Sequence, residues 1–147
     1  MAIAMRQAEI EWVGSLAQGG GTLSVGSGGF GPLPVTWGSR TEQPDRKTSP
    51  EELIAAAHAS CFAMALSLVL GEDKTPAERV TIGGECTLDE VDGAPRITTV
   101  KLTVRARVPG AEAEGFERSL ERAGALCPVS NALRGNVELA VDGELER

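Results

Sequence analysis

Residues 49–71, SPEELIAAAHASCFAMALSLVLG, decide the fold. Ser49-Pro50-Glu51-Glu52 matches a capping box, with Ser49 as N-cap, Pro50 at the first helical position and Glu52 at the third. The pattern predicts a helix over 50–70, and Gly71 suits the left-handed residue that closes a helix. At about 1.5 Å per residue it spans roughly 31 Å. The run is long enough for a short membrane span. However, it holds His58, Ser60 and Ser67, is rich in alanine, follows two glutamates and has no close Lys or Arg anchor. It therefore reads as a buried core helix. Being apolar on nearly all sides, it must be covered by the rest of its domain or by a partner subunit.

Strand signals precede it. In residues 7–17, Ile10 and Trp12 alternate with Glu9 and Glu11, as in a half-buried strand. Thr22 to Val25 form a short apolar run between glycine-rich turns, which predicts a second strand. Residues 33–40, LPVTWGSR, read as a third, with Pro34 favouring an edge. Residues 41–48 are polar and read as a loop.

Beyond the helix, residues 79–90 and 95–108 are two β-rich runs with a hairpin signal, Asp92-Gly93, between them. Residues 111–125 place Phe116, Leu120 and Ala123 at i, i+4 and i+7, the spacing of an amphipathic helix. Cys127-Pro128 opens a short helix to about Leu133, Gly135 stops it, and residues 136–142 form a last strand. The order βββ-α-ββ-αα-β groups its strands, so the fold class is α+β, in a single domain over residues 1–147.

Composition removes several functions. The chain has 147 residues, 21 Asp plus Glu against 14 Lys plus Arg, and a net charge of −7. Nucleic acid would repel that surface, and no basic run interrupts it. The N-terminal MAIAMRQAEIEW has no continuous apolar core and does not read as a signal peptide, so a cytoplasmic location is the expectation. Three widely spaced cysteines, Cys61, Cys86 and Cys127, without a CxxC pair, fit neither a disulfide scaffold nor a zinc ribbon.

Each candidate residue has a plain reading beside a chemical one. Cys61 lies mid-helix and reads as a small buried hydrophobe unless a nearby cation favours its thiolate. Cys127 precedes Pro128 at a predicted helix start, where N–H groups favour thiolate; the plain alternative is a cap or packing residue. Cys86 reads as structural. His58, the only histidine, lies one turn before Cys61. The two could form a hydrolase dyad, or a three-ligand metal site with Cys127, but a packed, hydrogen-bonded histidine fits the apolar helix better. Gly26 to Gly31, GSGGFG, formally matches a dinucleotide-binding fingerprint, yet no helix follows and the glycines read as turns. Arg40 is the only basic residue between Arg6 and Arg46. It reads either as a solvated arginine or as a group presented at a strand end just before the main helix.

Together, the helix SPEELIAAAHASCFAMALSLVLGE, the motif LCPVSNAL and the closing NVELAVDGEL resemble the OsmC/Ohr family of thiol peroxidases. The resemblance covers nearly the whole chain, and AAAHASC, CPVS and the position of Arg40 in WGSRTEQ resemble the OsmC branch. It implies Cys61 as peroxidatic cysteine, Cys127 as resolving cysteine, Arg40 holding Cys61 as thiolate and Glu51 orienting Arg40. It further implies an intertwined homodimer around the central helices, hydroperoxide substrates with organic ones favoured, and no bound cofactor. The implied reductant is an external dithiol such as a lipoyl protein or dihydrolipoamide. A ligand-binding member of the fold that has lost turnover is the alternative. One geometric condition comes with this reading. Ten residues along one straight helix put Glu51 and Cys61 about 15 Å apart in rise and roughly 80° apart in direction. Either the helix breaks after its first turn, or Arg40 or Glu51 reaches the site from the partner chain.

Overall fold

The computed structural model describes every residue, Met1–Arg147. By its internal contacts the chain forms two compact units, residues 1–53 and 54–147.

The first unit holds an antiparallel sheet of β1 (Ala8–Val13), β2 (Gly20–Val25) and β3 (Leu33–Val35), in the order β1-β2-β3. Ile10 and Trp12 share a face, as the alternation predicts, and lie over Gly21 of β2. That face is not half-buried within the chain: all six β1 residues are exposed. Ile10 stands opposite Leu23, and at Gly21, opposite Trp12, even a Cβ would come within 2.9 Å of both large side chains.

The expected third strand stops early. β3 ends at Val35, and Trp37–Thr41 form a short helix, α1. Thr36 caps it: its Oγ1 accepts from the Ser39 N–H at 3.0 Å, and Ser39 Oγ accepts from the Thr36 N–H at 3.0 Å. This reciprocal box satisfies two backbone donors, which favours a helical turn over further β extension. Arg40 therefore stands in the last turn of a helix, not at a strand end.

Helix α2 (Pro50–Glu72) begins where predicted and runs without a break. Ser49 Oγ accepts from the Glu52 N–H at 3.1 Å, giving half of the expected box. The Glu52 carboxylate takes the Thr48 hydroxyl at 2.9 Å in place of the Ser49 N–H. Gly71 does not close the helix. Lys74 adopts the left-handed conformation (φ 60°), with Lys74 N–H bonding Gly71 O and Thr75 N–H bonding Leu70 O. That is a Schellman end one turn later than the glycine suggested.

The second unit adds β4 (Arg79–Val91), β5 (Ala94–Arg107), α3 (Ala113–Leu126), α4 (Pro128–Leu133) and β6 (Glu138–Leu145). Asp92 and Gly93, at φ 53° and 80°, make the predicted hairpin turn between β4 and β5. β6 pairs parallel to β5, so the sheet order is β4-β5-β6 and the α3–α4 segment is the crossover. Phe62, Leu66 and Leu70 of α2, alternate residues Leu102 to Ala106 of β5, and Phe116, Leu120 and Ala123 of α3 share one core with Cys127. Two glycines let backbones approach. A Cβ at Gly143 of β6 would lie 2.3 Å from Leu120 Cδ1, and one at Gly84 of β4 would lie 2.8 Å from the Ala55 carbonyl of α2. By length and apolar composition α2 could cross a membrane. Its Phe62, Leu66, Val69 and Leu70 are fully buried in the chain, whereas Met64 and Leu68 are exposed.

Candidate active site

The structure gathers the four predicted site residues into two pairs, one in each unit. In the first, the Arg40 guanidinium meets the Glu51 carboxylate. Nη2 donates to Oε1 at 2.7 Å, and Nε donates to Oε1 and Oε2 at 3.0 and 3.1 Å. Glu51 is 7% exposed, so its charge is compensated out of water, and Arg40 is not a solvated arginine. Two local features set the pair. Ser39, next to Arg40, donates its hydroxyl to the Thr48 carbonyl at 3.1 Å and ties α1 to the start of α2. Trp37, three residues before Arg40, has its ring 5.9 Å from the guanidinium carbon. Such a cation–π contact adds about 0.5–1 kcal/mol. Glu51 engages the Nε and Nη2 side of the guanidinium and leaves Nη1 out of these bonds.

In the second unit, Cys61 of α2 and Cys127 at the start of α4 are free cysteines close enough for each to act on the other's thiol. Cys127 is fully buried and Cys61 half-buried. Burial pushes the Cys61 thiol up; an interaction with the Val129 N–H opposes this, and Cys127 adds to it through a hydrogen bond and its charge. Burial also acts to raise Cys127, but bonds from the Ser130 hydroxyl and N–H, from Cys61 and from the Val129 N–H outweigh it. The net direction for Cys127 is down. The Ser130 N–H lies 3.4 Å from Cys127 Sγ. α4 has only six residues, so these individual N–H and O–H groups, rather than a long helix dipole, act on the sulfur. Within this unit the Cys61 thiol is thus held above its ordinary range and the Cys127 thiol below it.

The remaining candidates are placed as follows. His58 is packed and hydrogen-bonded, as the plain reading holds: Nε2 is 2.7 Å from Ser130 Oγ. His58, Cys61 and Cys127 are not placed as a group that could hold a metal ion. Cys86 lies in β4 opposite Val100. Gly26 and Gly28 lie at and after the end of β2, and no helix follows that turn directly. A cleft of about 560 Å³ between α3, α4 and β6 has Ser130 in its lining but neither Cys61 nor Cys127. Sequence reasoning missed Trp37, Ser39, Val129 and Ser130. The Thr36/Ser39 pair was the only local signal for any of them.

The chain thus sets two cysteines, one of them at a helix start, on an α+β frame with a parallel last strand. Residues 43–142 match the OsmC-like protein family, and the chain belongs to it. It is 38% identical over 134 residues to the peroxiredoxin OsmC of Escherichia coli (strain K12), covering 91% of this chain and 93% of that one. It is 32% identical over 97 residues to an organic hydroperoxide resistance protein of Xanthomonas axonopodis pv. citri, covering 64% and 65% of the two chains. Among solved structures, the organic hydroperoxide resistance protein OhrB of Bacillus subtilis superposes with a TM-score of 0.75 at 26% identity, over 94% of this chain and 98% of that one.

Proposed function

We propose that the chain is a thiol-dependent hydroperoxide reductase. The observation that carries this reading is the adjacency of the Cys61 and Cys127 thiols in a chain of the OsmC-like family. The names of its relatives, a peroxiredoxin and organic hydroperoxide resistance proteins, support the same chemistry.

The Cys61 thiolate attacks the terminal oxygen of a hydroperoxide, releases the alcohol and becomes a sulfenic acid. Cys127 then condenses with it, a disulfide forms and water leaves. An external dithiol, with lipoyl proteins as the physiological donor, restores both thiols by exchange. Arg40 supplies the cation that draws the charge onto Cys61, and its planar fork can also donate to the peroxide oxygens. Glu51 holds that fork in place. Because α2 is unbroken, a first-turn residue and Cys61 are separated by about 15 Å of rise along it. In this reading the cation comes from the second subunit of a homodimer, and the same subunit covers Met64 and Leu68, which are exposed on α2 in the single chain. Organic hydroperoxides are preferred to hydrogen peroxide, and the protein works in the cytoplasm.

The test is peroxide consumption, with cumene hydroperoxide and hydrogen peroxide side by side and dihydrolipoamide, then thioredoxin, as donor. Cys61→Ser abolishes turnover, whereas Cys127→Ser completes one turnover and then inactivates. Full steady-state activity in Cys61→Ser refutes the assignment. A non-catalytic ligand-binding protein would show no stopped-flow oxidation of the reduced chain at all.

A further inference from the structure

The buried face of α2 opens with a group that the reaction above leaves unused. His58 is 1% exposed, and its partner Ser130 is 3% exposed. The imidazole Nε2 lies 2.7 Å from Ser130 Oγ, while Nδ1 is buried with no hydrogen-bond partner. Phe62, one turn later, meets the ring edge-on, at 6.4 Å between centroids and 88° between planes. Burial holds the imidazole below its ordinary range, so at neutral pH it is uncharged and carries one N–H.

Nδ1 decides where that hydrogen sits. An N–H at Nδ1 would be an orphaned donor in the core, which folded proteins almost never tolerate, whereas a bare lone pair there is the smaller penalty. The hydrogen therefore sits on Nε2 and is donated to Ser130 Oγ. That leaves the Ser130 hydroxyl hydrogen for another acceptor, and the same residue's N–H already lies 3.4 Å from the Cys127 sulfur, on which the hydroxyl also acts. The groups acting on Cys127 are Cys61 from α2 and Ser130 and Val129 from α4, none of them formally charged.

We propose that His58 is a positioning residue: its Nε2–H fixes Ser130 Oγ so that the hydroxyl points at Cys127 Sγ and holds that sulfur as the thiolate that resolves oxidised Cys61. Only the last clause rests on the peroxidase reading; the chain His58–Ser130–Cys127 does not. In the resolving step the Cys127 thiolate attacks the sulfur of the Cys61 sulfenic acid. The S–S bond forms as the S–O bond breaks, and the bond pair leaves with oxygen as hydroxide, which a buffer proton neutralises to water. The Cys127 sulfur is oxidised and the Cys61 sulfur reduced by the same amount.

The experiment titrates the Cys127 thiolate at 240 nm in a Cys61→Ser/Cys86→Ala background, where it is the sole thiol. Ser130→Ala is expected to lower its acid dissociation constant by about tenfold or more, moving the midpoint up by about one pH unit. His58→Phe is expected to move it in the same direction by less. His58→Gln, whose amide N–H can take the place of Nε2–H, returns it towards the background. Circular dichroism checks folding, and Ser130→Ala with His58→Gln carry the test if His58→Phe does not fold. A midpoint unmoved by Ser130→Ala, or by a folded His58→Phe, overturns the proposal. So does a His58→Gln midpoint displaced as far as that of Ser130→Ala. Absence of peroxide turnover in the unmodified chain would remove the peroxidase reading and leave this titration as it stands.

Discussion

Arg40 and Glu51 face each other as full charges, joined by three hydrogen bonds and flanked by Trp37. Cys61 and Cys127 meet in a core where every group acting on the sulfurs is uncharged except a sulfur itself. The contrast separates two tasks. The neutral half fixes which sulfurs can join, and left to itself it places charge on Cys127. The charged half carries what the neutral half lacks, a cation, and the proposed reaction needs that cation at Cys61. A guanidinium brought to about 4 Å of a sulfur is worth about 4 kcal/mol at an effective dielectric of about 20. Each hydrogen bond to a charged sulfur is worth about 1.5–3 kcal/mol, so the cation has to act against several of them together.

The sharpest way to break this contrast is Arg40→Gln, which keeps a polar N–H donor on a shorter side chain but removes the cation. The expected loss is about 10²–10³-fold in the rate of peroxide reduction at neutral pH, the range for removing one preorganised electrostatic group. Its pH dependence should also change. Burial and Cys127 hold the Cys61 thiol above its ordinary range. In the variant, Cys61 is therefore protonated at neutral pH, and the rate climbs as pH rises through the thiol range. The unmodified protein levels off at lower pH. Stopped-flow rates against pH decide this, and superimposable profiles would show that Arg40 does not act on Cys61.

Glu51→Gln is the next smaller change, because the cation stays and only its anchor weakens. About a tenfold loss is expected, from misorientation of the fork rather than loss of charge. The pH at which the rate levels off should move much less than in Arg40→Gln. An equal move would mean that Glu51 and Arg40 act as one electrostatic unit. Gly71→Ala is the smallest and touches neither half. Gly71 is helical, and a Cβ there meets nothing within 4 Å. Urea unfolding should show a gain of about 0.5–1 kcal/mol with rates unchanged.

The sequence made elements legible where a periodic pattern coincided with a local stop or start. Pro50 and Ser49 marked α2, Asp92-Gly93 marked the β4–β5 hairpin, and Phe116, Leu120 and Ala123 marked the face of α3. It misled where two local rules competed. LPVTW alternates like a strand, yet the Thr36/Ser39 box turns the chain into α1 and gives Arg40 a helical setting. Gly71 is a common helix stop, but the helix continues to a left-handed Lys74, because the bonds to Leu70 and Gly71 close it there. The burial expected of β1 depended on what covers its face, which an alternating pattern does not specify. For the site, the nearness of Cys61 and Cys127 came from family resemblance alone, since no local rule joins residues so distant in sequence. His58 and Ser130 likewise meet only through the fold. Their bond is invisible until α4 is laid beside α2.

The parallel pairing of β6 with β5 has a consequence for synthesis. Cys127 sits in the crossover between these strands, so its position is secured only when the last strand has joined the sheet. Non-local parallel pairing is slow and comes late on the ribosome, where N-terminal segments emerge first. A growing chain thus carries Cys61 for the whole time needed to make β4 through α4 without Cys127 beside it. During that interval Cys61 meets any oxidant without its buried partner, and the adjacency of the two thiols is the last property the molecule acquires.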